Sequence, residues 1–148
     1  MGNGYKETQA PLIKHLWDLI TADAGLKEAM QGTVRLHFGM ALKDTPFPYL
    51  VHRIDNDYDP NGMVVSGTYY IDTWSYSKTH EEALKIRGEL LRILDKRKFI
   101  VGDAICRVRM LLQTEGVIPE EVEKIQHRAA QFWMRYDRKV ELEQILAR

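Results

Sequence analysis

Five histidines, one cysteine and a run of alternating aspartates are the residues of this chain whose types could support catalysis or metal binding. The histidines are His15, His37, His52, His80 and His127, and no two fall in a His-Glu-x-x-His pair or another compact ligand spacing. His37 and His52 lie on neighbouring strand candidates and could face each other, but no third ligand stands near them, so structural roles are favoured over a metal site. Cys106 would need a histidine brought to it by the fold before it could act as a nucleophile. Its alternation with Val108, Met110 and Leu112 predicts a buried, inert thiol. Asp55, Asp57 and Asp59 open like a calcium loop. Asn61-Gly62 then arrives where a further ligand is needed and no glutamate closes the set, so a solvated turn is the better reading. A Gly-x-Ser-x-Gly elbow, a phosphate loop and a Gly-x-Gly-x-x-Gly fingerprint are all missing from the sequence. No nucleophile, base and orienting group can be named together, so the expectation is a protein that is not an enzyme and carries no cofactor or metal.

Tyr69, Tyr70, Trp74 and Tyr76 offer a different chemistry, since aromatic side chains on a sheet surface can stack bases. Alternation puts Tyr70, Trp74 and Tyr76 on one face with Asp72 between them, and no Arg or Lys occurs from Gly62 to Ser77. Phosphate contacts would have to come from elsewhere, and the expectation is no nucleic-acid partner. Overall charge agrees: 21 Lys and Arg balance 21 Asp and Glu. Residues 1–77 hold 6 basic and 9 acidic side chains (net −3), and residues 78–148 hold 15 and 12 (net +3). Such a mild split suits a solvated surface, or an acidic edge of one copy meeting a basic edge of another.

These residues need elements to hold them. At 148 residues and 45% hydrophobic content the chain is sized for a single domain with an ordinary core. One cysteine excludes an internal disulfide framework, and no apolar run approaches the roughly 20 residues that cross a bilayer. Met1 to Lys6 shows neither a signal-peptide pattern nor a myristoylation pattern, so a protein made and kept inside the cell is expected, without a membrane partner.

Leu12, Ile13, Leu16, Trp17, Leu19 and Ile20 recur at helical spacing, with Pro11 suited to the first turn. Asp23 caps a short helical piece that reaches Met30 and stops at Gly32. Val34, Leu36 and Phe38 alternate as a strand, and Pro46–Ile54 is a second whose prolines sit at its entry. Asn56–Gly62 reads as a polar loop, and Met63–Tyr76 as a long strand that completes a hairpin. Thr79 and Glu82 fit a capping box, with His80 inside it. Behind it Ala83, Ile86, Leu90, Leu91 and Leu94 form the stripe of an amphipathic helix, with Lys96, Arg97 and Lys98 at its C-terminal end. Ile105–Leu112 alternates as a strand, with Arg107 and Arg109 on one face. Beyond residue 120 the periodicity is ambiguous. Val122, Ile125, Ala129, Phe132, Trp133, Tyr136 and Val140 prefer a helix, whereas Gln126, Arg128, Ala130, Phe132, Met134 and Tyr136 also fit one side of a strand.

Several segments carry a family likeness. They are Phe47-Pro-Tyr-Leu-Val51, Tyr70-Ile-Asp-Thr-Trp-Ser75, the helix Glu81–Ile86 and the late segment Gln126–Tyr136, together with the opening helix Leu12–Ile20 and Ala24-Gly-Leu26. On these residues, over roughly 11–138, the chain resembles the phage tail-terminator (tail completion) proteins of tailed bacterial viruses and prophages. The resemblance implies a single α+β domain over 1–148, with 1–10 and 139–148 peripheral: a mainly antiparallel sheet with two main α-helices packed on one face. It also implies that 124–138 form a strand.

Such proteins close six-membered rings on the finished tail tube, stop its polymerisation and offer the docking surface for the head–neck complex. The implied location is the tail–neck junction of a virion. The implied partners are further copies of the chain, the tail tube protein and the head–tail connector. Asp57, Tyr58 and Asp59, on the hairpin loop, are then the candidate contacts with a neighbouring subunit or the tube. The competing readings are another neck component, or a non-viral binding module that uses the aromatic sheet face.

Overall fold

A computed structural model describes residues 4–58, 60, 64–101 and 105–137, the side chains of 4–10, 64, 65, 105 and 106 apart. Two helices open the chain, α1 (Gly4–Thr21) and α2 (Ala24–Ala29). They are followed by β1 (Leu36–Phe38), β2 (Tyr49–Tyr58), β3 (Val64–Tyr76), α3 (Glu81–Leu94), β4 (Lys98–Val101), β5 (Ile105–Ile118) and β6 (Ile125–Asp137). The strands form one six-stranded sheet in the order β1-β2-β3-β6-β5-β4. Only β1 and β2 pair in parallel; every other pairing is antiparallel. This is the expected α+β domain, its two long helices joined by the short α2.

Alternation along each strand gives the sheet two unlike faces. One presents Leu50, Ile54, Tyr69, Ile71, Phe132 and Met134, all buried against Leu12, Leu16 and Ile20 of α1 and Ile86, Leu90 and Ile93 of α3. Burying an aliphatic side chain of this size contributes roughly 1.5–3 kcal/mol, so these two stripes hold the layers together. Among the described residues the other face carries no helix. Gly67 marks the closest approach on the covered side, because a Cβ there would stand 2.5 Å from the Tyr136 hydroxyl, which donates to Asn56.

The structure departs from the sequence reading in several places. Residues 125–137 are a strand, not a helix, as the resemblance implies and the apolar periodicity does not. β6 lies between β3 and β5 and pairs with both, so its two faces alternate: Phe132, Met134 and Tyr136 are buried, while Trp133 and Arg135 are exposed. The helical stripe mixed residues from both faces; Val140 lies outside the described residues. Asn56, Asp57 and Tyr58 belong to β2 and pair with β3, so the hairpin loop is shorter than the turn formers suggested. α1 begins at Gly4, which places Pro11 inside the helix instead of in its first turn.

The Thr79–Glu82 capping box does not form. His80 occupies the N-cap position without a side-chain bond, and Glu82 instead accepts from the Ser75 hydroxyl and from Gln31. Asp23 does cap α2, accepting from the Leu26 N–H at 2.9 Å. α3 ends at Leu94 with Asp95 as its C-cap, so Lys98 enters β4 instead of lengthening the helix.

Candidate functional site

The uncovered sheet face gathers the chemically distinctive side chains, and the strand register orders them into rows. At one end, Tyr49 of β2, Trp74 of β3 and His127 of β6 are neighbours in register. Tyr49 stacks on Trp74 with ring centroids 5.3 Å apart, and Trp74 stacks on His127 at 4.0 Å. Phe47 and Tyr76 flank the ladder.

His127 is held from both sides. Nε2 lies 2.8 Å from Asp72 and Nδ1 lies 2.7 Å from Glu120. Burial alone would lower its pKa, but the hydrogen bonds and charges of the two carboxylates outweigh it and raise the value. Both ring nitrogens donate in the protonated form, so the ring has no free lone pair with which to act as a base. The arrangement is a clamp joining β3, β6 and the turn before β6.

The other histidines are dispersed. His37 and His52 do not face each other, because the parallel register sets His37 beside Val51 and Phe38 beside His52, so the two rings point to opposite faces. His37 packs edge-on against Tyr49. His52 is fully buried, with Nδ1 2.6 Å from the Tyr69 hydroxyl, and burial lowers its pKa to about 4. His15 stacks on Phe99, and His80 is exposed at the start of α3. Among the described residues no group of three His, Cys, Asp or Glu side chains is placed to hold a metal. The Cys106 side chain lies outside them.

Asp57 and Tyr58 sit at the exposed end of β2, where the register with β3 shifts, and Asp57 accepts from the Ser66 hydroxyl at 2.9 Å. Asp59, the third candidate contact, lies outside the described residues. The two placed candidates stand at an edge of the open face, far from the aromatic ladder.

Two further features escaped the sequence reading. At the Ser66 end of the open face the register sets Lys98, Arg109 and Arg135 side by side across β4, β5 and β6. With Lys96, Arg97, Leu111 and Trp133 they line a groove of about 490 Å³. The second feature is apolar: Phe38, the last residue of β1, and Met40 and Leu42 just after it are exposed, Met40 at 76% and Leu42 at 75%, and Ile100 is 69% exposed on β4 at the opposite edge. Alternation of Arg107 and Arg109 was a visible signal for the first; nothing in the sequence linked them to Lys98 or Arg135.

No family model matches the chain, and no curated protein sequence does. Its architecture is nevertheless shared with a solved structure. A chain in the "Virion of native gene transfer agent (GTA) particle" superposes with a TM-score of 0.65, covering 82% of this chain and 90% of that one, at 14% sequence identity. The likeness is one of fold.

Proposed function

We propose that the chain is a structural, non-enzymatic component of a phage-like virion. In this reading it closes into a ring on the end of the tail tube, terminates tube growth and presents the docking surface for the head–neck complex. The observation that carries the proposal is the pair of sheet edges. β1 and β4 lie at opposite ends of one sheet, and each edge bears exposed apolar side chains: Phe38, Met40 and Leu42 near β1, and Ile100 on β4. A free strand edge is a template for pairing with another chain, and a monomer gains nothing by exposing a cluster of large apolar groups beside it.

Two different edges that fit each other make a head-to-tail contact, which closes into a ring when the rotation per subunit divides a full turn. The edge strands are only three and four residues long, so one contact is weak and a tube end that binds all subunits at once supplies the avidity. Asp57, Tyr58 and Asp59 form a second contact region in the same proposal, toward the tube or the neighbour. The shared fold with a chain of a gene transfer agent virion supports the reading.

The test is absolute mass by light scattering over a wide concentration range, followed by electron microscopy of the protein added to tail tubes. The expected result is growth toward a closed ring or capped tube ends, both lost in Met40→Glu/Leu42→Glu. A strict monomer that leaves tube ends uncapped would overturn the proposal.

A further inference from the structure

The groove at the Ser66 end of the open face is built against its own electrostatics. Lys98, Arg109 and Arg135 are direct cross-strand neighbours, and like charges placed opposite one another destabilise a sheet. Adjacent strands are about 4.8 Å apart, so three cations are packed into a row about 10 Å long. Among the described residues one carboxylate pairs with them, Asp137, 3.3 Å from Arg135 Nε and 3.7 Å from Arg109 Nε; Asp57, further along the same row opposite Ser66, accepts from the Ser66 hydroxyl. Arg109 Nε has no hydrogen-bond partner, and Lys98 has no ion-pair partner, among the described residues. Lys96 and Arg97 also line the groove, and among the described residues no acidic side chain does. Two register positions further along β5 and β6, on the same face, Leu111 and Trp133 form its apolar floor, and both are exposed.

We infer that this groove binds a single strand of nucleic acid, with phosphates on the row of Lys98, Arg109 and Arg135 and a base stacked on Trp133. A strand laid along the row turns its bases toward the floor, so one ligand neutralises the cations and covers the indole at once. Cationic grooves with aromatic floors bind single strands in this way. A duplex satisfies the cations but keeps its bases from Trp133, and an acidic peptide satisfies them without a ring to stack. The inference does not depend on ring formation, since every group in the groove comes from one chain. The aromatic residues of β3 lack cations in their own stretch of sequence; here the cations come from β4, β5 and β6, and the aromatic partner is Trp133.

The experiment is titration of the full chain with a dye-labelled thymidine oligonucleotide of about 8 nucleotides, read by anisotropy and by tryptophan fluorescence. Binding should weaken with salt along a log–log slope of about −2, as three phosphate contacts on a single strand require. Lys98→Ala/Arg109→Ala should lower affinity at low salt at least tenfold and flatten the slope to about −0.7. Trp133→Ala should cost about tenfold. Trp133→Phe, the variant that keeps the fold and a stacking ring, should retain binding but lose the fluorescence change.

Any of four results would overturn the inference: no binding at low salt, equal affinity for a duplex of the same length, equal affinity for polyglutamate, or affinity unchanged in the double alanine variant. A ring that forms normally while the groove binds nothing would remove this inference and leave the assembly proposal standing.

Discussion

The two ends of the open sheet face are made from the same strands, about 26 Å apart along β3 from Ser66 to Trp74, yet they treat charge in opposite ways. At the Trp74 end one cation, His127, is sandwiched between two carboxylates and stacked on an indole. At the Ser66 end Arg109 and Arg135 share Asp137 while Lys98 has no ion-pair partner, beside an indole that nothing stacks on, among the described residues. The first end is finished by its own chain and therefore reads as structure. Among the described residues the second holds more cations than carboxylates, and the inferred nucleic-acid groove rests on that imbalance.

That contrast can be broken by mutation. The largest effect is expected at the closed end: His127→Ala leaves Asp72 and Glu120 facing each other without a cation and removes the ring under Trp74. The expected loss is about 2–3 kcal/mol by denaturant midpoint, because breaking a largely buried pair strands the surviving charges. A loss well under 1 kcal/mol would mean that the clamp is ornamental.

A smaller effect separates the two buried histidines by pH. His127 has a raised folded pKa, so its contribution is complete below the unfolded value near 6.5 and fades as pH rises through the raised value. His52 has the opposite sign. Its folded pKa is about 4, so the unfolded chain binds the extra proton between 6.5 and 4 and stability falls as pH drops through that window. Chemical denaturation at a series of pH values should therefore show a maximum near neutrality. His127→Gln should erase the alkaline decline and leave the acid decline in place. An unchanged alkaline limb would assign it to another group.

The smallest effect is expected at the open end, and with the reverse sign. Lys98→Glu turns the like-charge pair with Arg109 into an opposite-charge pair, and should raise stability by roughly 0.2–1 kcal/mol, visible as a rise in thermal midpoint. Destabilisation there would show that the row is already balanced and that the contrast between the ends is false.

Much of the fold was legible because local chemistry and tertiary context agree. Asp23 caps α2, the stripe from Ala83 to Leu94 buries as its spacing demands, and the β-branched and aromatic run of β3 is a strand. Legibility failed where context overrides local preference. β6 looked helical because Phe132, Trp133 and Tyr136 share a helical stripe, but hydrogen bonds to strands on both sides outweigh a pattern that an isolated segment would follow. The capping box failed because Glu82 finds Ser75 and Gln31, partners 7 and 51 residues away. Asp57 and Tyr58 looked like loop residues until pairing with β3 drew them into the sheet.

By itself the sequence determined which segments are apolar on one side and where the stripe of α3 lies, because those properties depend on neighbours within a few residues. The tertiary structure alone decided what the open face presents. Asp72 meets His127 across 55 residues, and Lys98, Arg109 and Arg135 become neighbours only when β4, β5 and β6 pair in register. Strand pairing sets which distant side chains share a row, and charge is felt across a row a few ångströms wide, not along the chain.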